Sequence, residues 1–317
     1  MRALLLAAAV VAASPGLLGL AAAEARAAGC VTSADCNMNG LCTGGACRCD
    51  PWWSGPRCSA LRLGPAKPNS GYRTTSGAQG YSWGGSVVAG GDNTFHLIAS
   101  EWTQRCGLEY WTPNSRLIRA TSRHVDGPYV FAAEVLPTFY TNPQITAAPG
   151  GRLLLFAIGQ ECNRTADCAN ASHPPAGAPF HYTCRYHNDM QSGISLFSST
   201  SGPTGPWLAH GMVLNGSGSA NGGGYNNSRT NPAPLAEADG TVKLIYRGGA
   251  KGYKAEYLGV ATADNWNGPY QVQSPQPVLP DNLEDPFLYR DCRGGYHLLA
   301  HAIGRSVKGD VGVHAFR

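Results

Sequence analysis

Two adjacent acidic residues, Glu284 and Asp285, are the side chains in this sequence best suited to chemistry. Two carboxyl groups held close together can divide acid–base work, since one can donate a proton while the other accepts one. A third acid, Glu101, is distant in sequence but can join the pair if the fold repeats. The alternative is structural, because an Asp before a proline, as in Asp285-Pro286, often caps a turn.

The composition favours short strands and excludes several classes of function. The chain has 317 residues with 24 Lys and Arg against 20 Asp and Glu, so its net charge of +4 fits neither a basic nucleic-acid binder nor an acidic tail. It has 41 Gly, 22 Pro and only 14% charged residues, a balance that suits an all-β protein with many turns. Eleven cysteines indicate an oxidising compartment.

The first 28 residues predict a cleavable signal peptide and hence secretion. Arg2 precedes an apolar run over 3–23, and small-residue patterns follow at 21–23 and 25–27. Two alternatives are a retained membrane anchor, since the run is about long enough to span, and a lipid-modified Cys30. No later stretch approaches 18 uninterrupted apolar residues, so no membrane span is expected after cleavage.

Six cysteines crowd into residues 30–58, a segment too short to bury a sufficient hydrophobic core. Disulfides must hold it together, each contributing about 2–4 kcal/mol, although spacing alone leaves their connectivity open. The run from Cys47 to Cys58, with Trp53 and Gly55 between, resembles the C-terminal half of an EGF-like module. The resemblance implies the pairs Cys30–Cys42, Cys36–Cys47 and Cys49–Cys58, and it speaks against lipidation of Cys30.

An EGF-like module serves more often as a spacer or contact surface than as a catalyst. The module at 29–58 is therefore a candidate surface for contact with another extracellular protein. No acidic cluster stands just before Cys30, so the calcium-binding form of the module is not expected.

Residues 59–80 are rich in Gly, Pro and Ser and are predicted to be a linker. The part that follows, 81–317, repeats one layout: an Asn-Pro or Asp-Pro step, a turn glycine nine residues on, and then an apolar strand. The steps and glycines are Asn142-Pro143 with Gly151, Asn231-Pro232 with Gly240, and Asp285-Pro286 with Gly294. An earlier copy starts at Trp83, and Gly-Pro-aromatic turns close the copies at 127–129, 205–207 and 268–270.

Four copies of a unit that cannot bury its own faces predict a β-propeller. The fourth copy stops at its third strand, 311–316, and such a final blade would leave an unpaired edge. We therefore expect a propeller of the five-bladed type over 81–317, truncated at its C-terminus. With the disulfide-rich module, this makes the protein all-β.

The segment from Glu284 to Leu288, the Asn-Pro steps and the Gly-Pro-aromatic turns resemble the five-bladed propeller glycosidases. This is the arabinanase, levansucrase and invertase superfamily, which includes glycoside hydrolase family 43, and the resemblance covers 81–317. It implies a secreted enzyme that hydrolyses a polysaccharide or glycan through carboxylates around a central funnel, one as acid and one as base or nucleophile.

Aligning the repeats places the start of each first strand and the end of each second strand at one mouth of the funnel. Glu284 is the expected acid and Asp285 or Glu101 the base or orienting group, while Arg247 and His301 bind hydroxyls or tune the acid. The same ring holds three further candidate substrate-binding residues, Asn142, Asn231 and Trp83. The aromatic residues Trp83, Trp102, Tyr110 and Trp111 are candidates for stacking on sugars, or else core residues.

Two positions depart from the family pattern. Family 43 enzymes carry a base Asp at the start of the first blade and a second Asp in the next, where this chain has Gly84 and Asn142. The rival prediction is therefore a non-catalytic carbohydrate-binding or adhesion protein. A third interpretation is a receptor ligand that acts through its EGF-like module, with the propeller as a scaffold.

A long insertion at 159–193 is predicted to be either a lid on the funnel or a surface loop pinned by disulfides. Sequons predict N-glycosylation at Asn163, Asn170, Asn215 and Asn226. Five cysteines remain outside the module, Cys106, Cys162, Cys168, Cys184 and Cys292, so one is free or pairs outside this sequence. Disulfides are favoured over a zinc site in an oxidising compartment, and no cofactor or metal is expected.

Overall fold

The computed structural model describes residues 29–62, 64–65, 67–77, 80–103, 111–162, 193–216, 228–249, 256–273, 278–279, 282–303 and 311–316. The chain divides into two compact units, one of Met1–Ala66, Tyr289–Leu298 and His314–Arg317, and one of Lys67–Leu288 and Leu299–Val313. Several predictions concern residues outside the described ranges: the signal peptide, the sequons at Asn163, Asn170 and Asn226, and Cys106, Tyr110, Cys168 and Cys184.

Disulfides form the core of the small N-terminal module. It has a 3-10 turn at Ser33–Cys36 and two short antiparallel pairs, β1 (Gly40–Thr43) with β2 (Ala46–Cys49) and β3 (Trp53–Ser54) with β4 (Ala60–Leu61). The disulfides are Cys30–Cys42, Cys36–Cys47 and Cys49–Cys58, the pairs that the EGF resemblance implied. Cys30, Cys36 and Cys58 are buried with Trp53 packed against them, so crosslinks replace an apolar core.

The later strands form antiparallel sheets in which strand order follows the sequence. The first sheet contains β5 (Ser82–Ala89), β6 (Phe95–Trp102), β7 (Ser115–Ser122) and β8 (Val130–Leu136). The second contains β9 (Tyr140–Ala147), β10 (Leu153–Gly159), β11 (Ile194–Ser199) and β12 (Leu208–Leu214). The third contains β13 (Ser228–Ala236), β14 (Val242–Gly249), β15 (Glu256–Ala263) and β16 (Gln271–Val272). The fourth contains β17 (Leu283–Arg290), β18 (Tyr296–Ala302) and β19 (Val311–Phe316).

This series of sheets confirms the all-β prediction and its repeating unit. The helical elements with described bounds are short: the 3-10 turn of the module, a single turn α1 (Trp111–Asn114) and a 3-10 turn at Pro149–Gly151. None of the described helices is long and apolar enough to cross a membrane.

The Gly-Pro-aromatic turns close the first three sheets in the same way. Gly127, Gly205 and Gly268 have φ of 88°, 79° and 94°, the left-handed region that favours glycine. Each is followed by a cis proline. In two of the turns the tyrosine hydroxyl donates a hydrogen bond to a carbonyl four residues earlier, Tyr129 to Val125 at 2.7 Å and Tyr270 to Trp266 at 2.6 Å.

The strand β10 lies at the centre of the core because both of its faces are buried. On one face, Leu154 and Phe156 pack with residues of β11, β14 and β15, among them Leu196, Leu244 and Tyr246. On the other face, Leu155 and Ala157 pack with Ile98 and Leu117 of the first sheet. Because successive residues of a strand point to opposite faces, one apolar strand joins three sheets.

Part of the segment predicted as a linker is fixed to the first sheet. The Gly71 N–H donates to Asp126 O at 2.8 Å, and the Tyr129 N–H donates to Gly71 O at 2.8 Å. Tyr72 forms a parallel bridge with Tyr129. The backbone from Gly71 onward is therefore part of the second unit.

The structure describes two of the cysteines outside the module, Cys162 and Cys292, and one sequon asparagine, Asn215. Cys162 is disulfide-bonded, and Cys292 is a free, exposed cysteine. Asn215 is exposed, as a glycosylated asparagine must be.

Candidate functional site

A β-bulge lies near the start of the first strand in each of the first three sheets, at Gly84-Gly85 and at the two Asn-Pro steps. In the first three sheets two residues oppose one: 84–85 face Ala99, 142–143 face Ala157, and 231–232 face Tyr246. The first bulge residue has φ of 58° at Gly84, 49° at Asn142, 46° at Asn231 and 47° at Asp285. Gly, Asn and Asp tolerate this left-handed conformation best, and a proline at a bulge costs the ladder no N–H. The repeated motif therefore satisfies a backbone requirement.

The side chains at these bulges converge on Asp285. Its Oδ1 accepts a hydrogen bond from Asn142 Nδ2 at 3.1 Å and another from Asn231 Nδ2 at 2.5 Å. Gly84 is next to this group, since a Cβ built on it would lie 2.9 Å from Asn142 Oδ1. One residue from each of four sheets thus meets at one place, although Asn142 and Asp285 are 143 residues apart.

A cavity of about 250 Å³ opens at this meeting point. Its lining consists of Trp83, Gly84, Gly85, Asn142, Gln144, Asn231, Pro232, Asp285 and Pro286. Trp83 is 39% exposed, which leaves part of its indole available to a ligand. The cavity therefore combines side-chain amides, one carboxylate and one indole.

Gln144 is a lining residue that the repeat alignment missed. It lies two positions after Asn142 on β9, where alternate residues share a face, so strand periodicity could have identified it. Its Oε1 accepts a hydrogen bond from Ser86 Oγ at 2.8 Å, and that serine also accepts the Ile145 N–H.

A second polar group surrounds Glu284. Arg247 Nη1 lies 3.1 Å from Glu284 Oε2, and His301 Nδ1 lies 3.4 Å from Glu284 Oε1. The three side chains are 21%, 34% and 17% exposed for Arg247, His301 and Glu284. The structure thus brings together the acid, the arginine and the imidazole that the alignment placed at one mouth.

The same kind of contact recurs between the first two sheets. Ser100 Oγ accepts the Asn142 N–H at 2.9 Å and lies 3.2 Å from Thr141 Oγ1. Ser100 and Arg247 are at the aligned ends of β6 and β14, and Thr141 and Glu284 are at the aligned starts of β9 and β17. The Arg247–Glu284 pair is therefore the ionic form of a contact that links successive sheets.

Glu284, Asp285 and His301 each present a ligand atom within 4.8 Å of the other two, a spacing compatible with a metal ion. Arg247 already supplies a positive charge to the same carboxylate. The expectation that the protein uses no metal stays a prediction.

The geometry of the two acids bears on catalysis. Glu284 and Asp285 each present one oxygen within 4.8 Å of the other. Asp285 lines the cavity and Glu284 does not. A general acid must carry a proton, so Glu284 would have to leave its ion pair with Arg247 before it could act as one.

Glu101 has a structural environment and is absent from the cavity lining. It is fully buried, and its oxygens accept from Thr75 N at 2.6 Å, Thr75 Oγ1 at 2.6 Å, Tyr72 OH at 3.1 Å and Arg116 Nη2 at 3.3 Å. These four donors use all the acceptor positions of a carboxylate. Burial, and next the Glu101 charge, raise the pKa of Tyr72, which keeps that phenol a donor. We therefore assign Glu101 to fixing the 72–75 segment and not to the base role expected from sequence.

Two of the other candidates for stacking on sugars, Trp102 and Trp111, are among the described residues. Trp102 is 2% exposed and belongs to the core, so it cannot stack on a ligand. Trp111 is partly buried in α1. Among the described candidates, Trp83 is the one that lines the cavity.

Comparisons with known proteins agree with this two-part architecture. The model of the teneurin-like EGF domain matches residues 32–60. No curated protein sequence matches the chain. Among solved structures, a family 117 glycoside hydrolase from the marine bacterium Zobellia galactanivorans is similar, with 14% identity over 74% of this chain and 67% of that one and a TM-score of 0.50.

Two further neighbours have lower TM-scores. A thermostable family 43 glycoside hydrolase has 14% identity over 74% of this chain and 70% of that one, with a TM-score of 0.48. The α-L-arabinanase of Cellvibrio cellulosa, solved with arabinohexaose, has 14% identity over 74% and 72%, with a TM-score of 0.48. The EGF match and the similarity to the family 117 structure agree with an EGF-like module joined to a propeller with a glycoside hydrolase-like fold.

Proposed function

We propose that this protein recognises a carbohydrate and that the cavity between Trp83 and Asp285 binds one sugar residue. The observation that carries the proposal is the lining itself, which combines a partly exposed indole with side-chain amides and a carboxylate. A sugar ring offers an apolar face to an aromatic ring and hydroxyls to amide and carboxylate groups, so these groups match its chemistry.

Each lining group has a role in this proposal. Trp83 stacks on the sugar ring, and Asp285 accepts hydroxyl hydrogen bonds through the oxygen that does not receive the two amides. Asn142 and Asn231 hold that carboxylate in place from neighbouring sheets. Ligand pockets are commonly built this way, with a few placed polar groups that orient the ligand.

The setting that we propose is extracellular. Residues 1–28 form the signal peptide, 29–58 the module, 59–80 the linker and 81–317 the propeller, with glycosylation at the four sequons. The three disulfides of the module support an oxidising compartment.

Replacing Trp83 with alanine is expected to weaken glycan binding about tenfold or more, because about 1.4 kcal/mol of stacking and burial is lost. Calorimetry on a panel of neutral and acidic oligosaccharides, arabinohexaose included, measures this. Trp52→Ala is the matched control, since Trp52 is 70% exposed and belongs to the module. Equal losses in the two variants, or no binding across the panel, would contradict the proposal.

Hydrolysis is the second candidate function, favoured by the position of Glu284 beside Asp285 in a glycoside hydrolase-like fold. If Glu284 leaves Arg247 to protonate a leaving group, Glu284→Gln should lower turnover by about 10²–10⁴-fold while binding persists. The control is Glu237→Gln, in a hairpin where Glu237 pairs with Lys243 at 2.7 Å. Absence of turnover in the wild-type chain on the same panel leaves binding as the function.

A further inference from the structure

A series of partly buried hydrogen bonds joins the EGF-like module to the hairpin Tyr289–Leu298, and both belong to the first unit. Asn39 Nδ2 lies 3.5 Å from His314 Nδ1, His314 Nε2 lies 2.9 Å from His297 Nδ1, and His297 Nε2 lies 3.2 Å from Asp291 Oδ2. Asn39 and His297 are 1% and 2% exposed, so water cannot replace these partners.

The donors and acceptors of this series fit one arrangement of protons. Asn39 Nδ2 also donates to Cys58 O at 3.0 Å, which fixes that nitrogen as the group facing His314. His314 Nδ1 must then accept, so its proton lies on Nε2 and points at His297 Nδ1. His297 in turn carries its proton on Nε2 and donates to Asp291. Both rings are neutral in this arrangement.

We propose that Asn39, His314, His297 and Asp291 form a proton-sensitive latch that holds the module on the hairpin, and that acidification opens it. A proton added to His314 Nδ1 would face the Asn39 amide, which is already a donor. A proton added to His297 Nδ1 would face the His314 Nε2–H. In either case two hydrogen-bond donors face each other, so one hydrogen bond of the series is lost.

Packing around the His314 ring opposes its protonation. His314 lies against the Trp53 ring of the module with centroids 4.9 Å apart, and His297 stacks between His314 and Tyr289 at 5.2 and 4.8 Å. The carboxylate of Asp291 contacts His297 Nε2, on the side of that ring away from the nitrogen that faces His314. Burial, and next the His297 ring, lower the pKa of His314 to about 4.

The hairpin also contacts the module through Arg293. Arg293 bonds both oxygens of Asp50, at 3.1 and 2.8 Å, and donates to Met38 O at 2.7 Å. It also lies 3.2 Å from Asp291 Oδ2. The Arg293 and Asp50 side chains are 27% and 36% exposed, and ion pairs this exposed contribute little. The buried histidines therefore set the pH response.

The direction of the pH effect follows from which form binds a proton more tightly. In the open form His314 regains an ordinary pKa of about 6.5, so between about pH 6.5 and 4 the open form binds a proton that the latched form does not. The latch is intact above about pH 6.5 and weakens as the pH falls toward 4. Between pH 7.5 and 5.0 the open population is expected to rise about 30-fold.

Hydrogen exchange of the full chain, corrected for the pH dependence of chemical exchange, measures this opening. We expect protection of the module and of hairpin 289–298 to fall about 30-fold from pH 7.5 to 5.0, with β14 unchanged. His314→Gln keeps an acceptor and a donor but cannot titrate, so its protection should lose the pH dependence. His124→Gln, which changes an exposed histidine, should keep it.

Unchanged wild-type protection, or a pH dependence that persists in His314→Gln, would overturn the proposal. If that variant does not fold, ¹⁵N chemical shifts of the wild-type imidazoles decide the matter. Both rings should be neutral with the proton on Nε2 at pH 7.5. A charged His314, or one protonated on Nδ1, would refute the latch.

Discussion

Replacing Glu101 with alanine should lower the free energy of unfolding by about 3–5 kcal/mol, because it removes a buried carboxylate from its donors. Thr75 and Tyr72 would lose the acceptor that fixes their segment to the first sheet, and Arg116 would lose its buried partner. Chemical denaturation monitored by fluorescence measures the change.

Glu134 provides a matched control for Glu101, since it pairs with the same Arg116 at 3.0 Å but is 46% exposed. Glu134→Ala should cost about 1 kcal/mol or less, as exposed ion pairs do. A Glu101→Ala variant that stayed stable but had lost glycan binding or turnover would instead indicate that Glu101 acts in the functional site.

Replacing Asp285 with alanine is expected to weaken glycan binding about 100-fold, equivalent to about 3 kcal/mol. The sugar would lose a charged acceptor, and Asn142 and Asn231 would lose the group that orients them. Calorimetry with the tightest ligand of the oligosaccharide panel measures the loss. Asp285→Asn separates charge from shape, because it preserves the volume of the side chain.

Asp239 is the control for Asp285, because it caps an exposed hairpin turn by accepting from Thr241 at 3.0 and 2.7 Å. Asp239→Ala should leave affinity unchanged. Unchanged affinity in Asp285→Ala would mean that the cavity is not the binding site, whereas a loss shared by both variants would point to misfolding.

The repeats predicted much of the fold because the repeated residue types are those that a positive φ at the start of each first strand requires. A first strand that turns through the left-handed region selects Asn, Asp or Gly there, and a proline can follow because its missing N–H costs the ladder little, so three of the four first strands carry an Asn-Pro or Asp-Pro step. Aligning these signatures was sufficient to predict that Asn142, Asn231 and Asp285 lie together. Glycine at position 84 belongs to the same series, since it has the same φ.

Glu101 shows what the alignment could not include. Its position in the repeat agreed with the site, but its surroundings come from Tyr72 and Thr75, which belong to no repeat. The histidine latch was also hidden from sequence, because Asn39 and His314 are 275 residues apart and neither lies in a motif.

The sequence by itself determined the disulfide-rich module, the repeating sheets and the residue types at each bulge, since all of these depend on local conformation and spacing. Only the tertiary structure decided which carboxylates are buried, paired or open to a ligand. The reason is physical: the state of a charged or titratable group depends on the donors and apolar surface that surround it, and distant parts of the chain supply these.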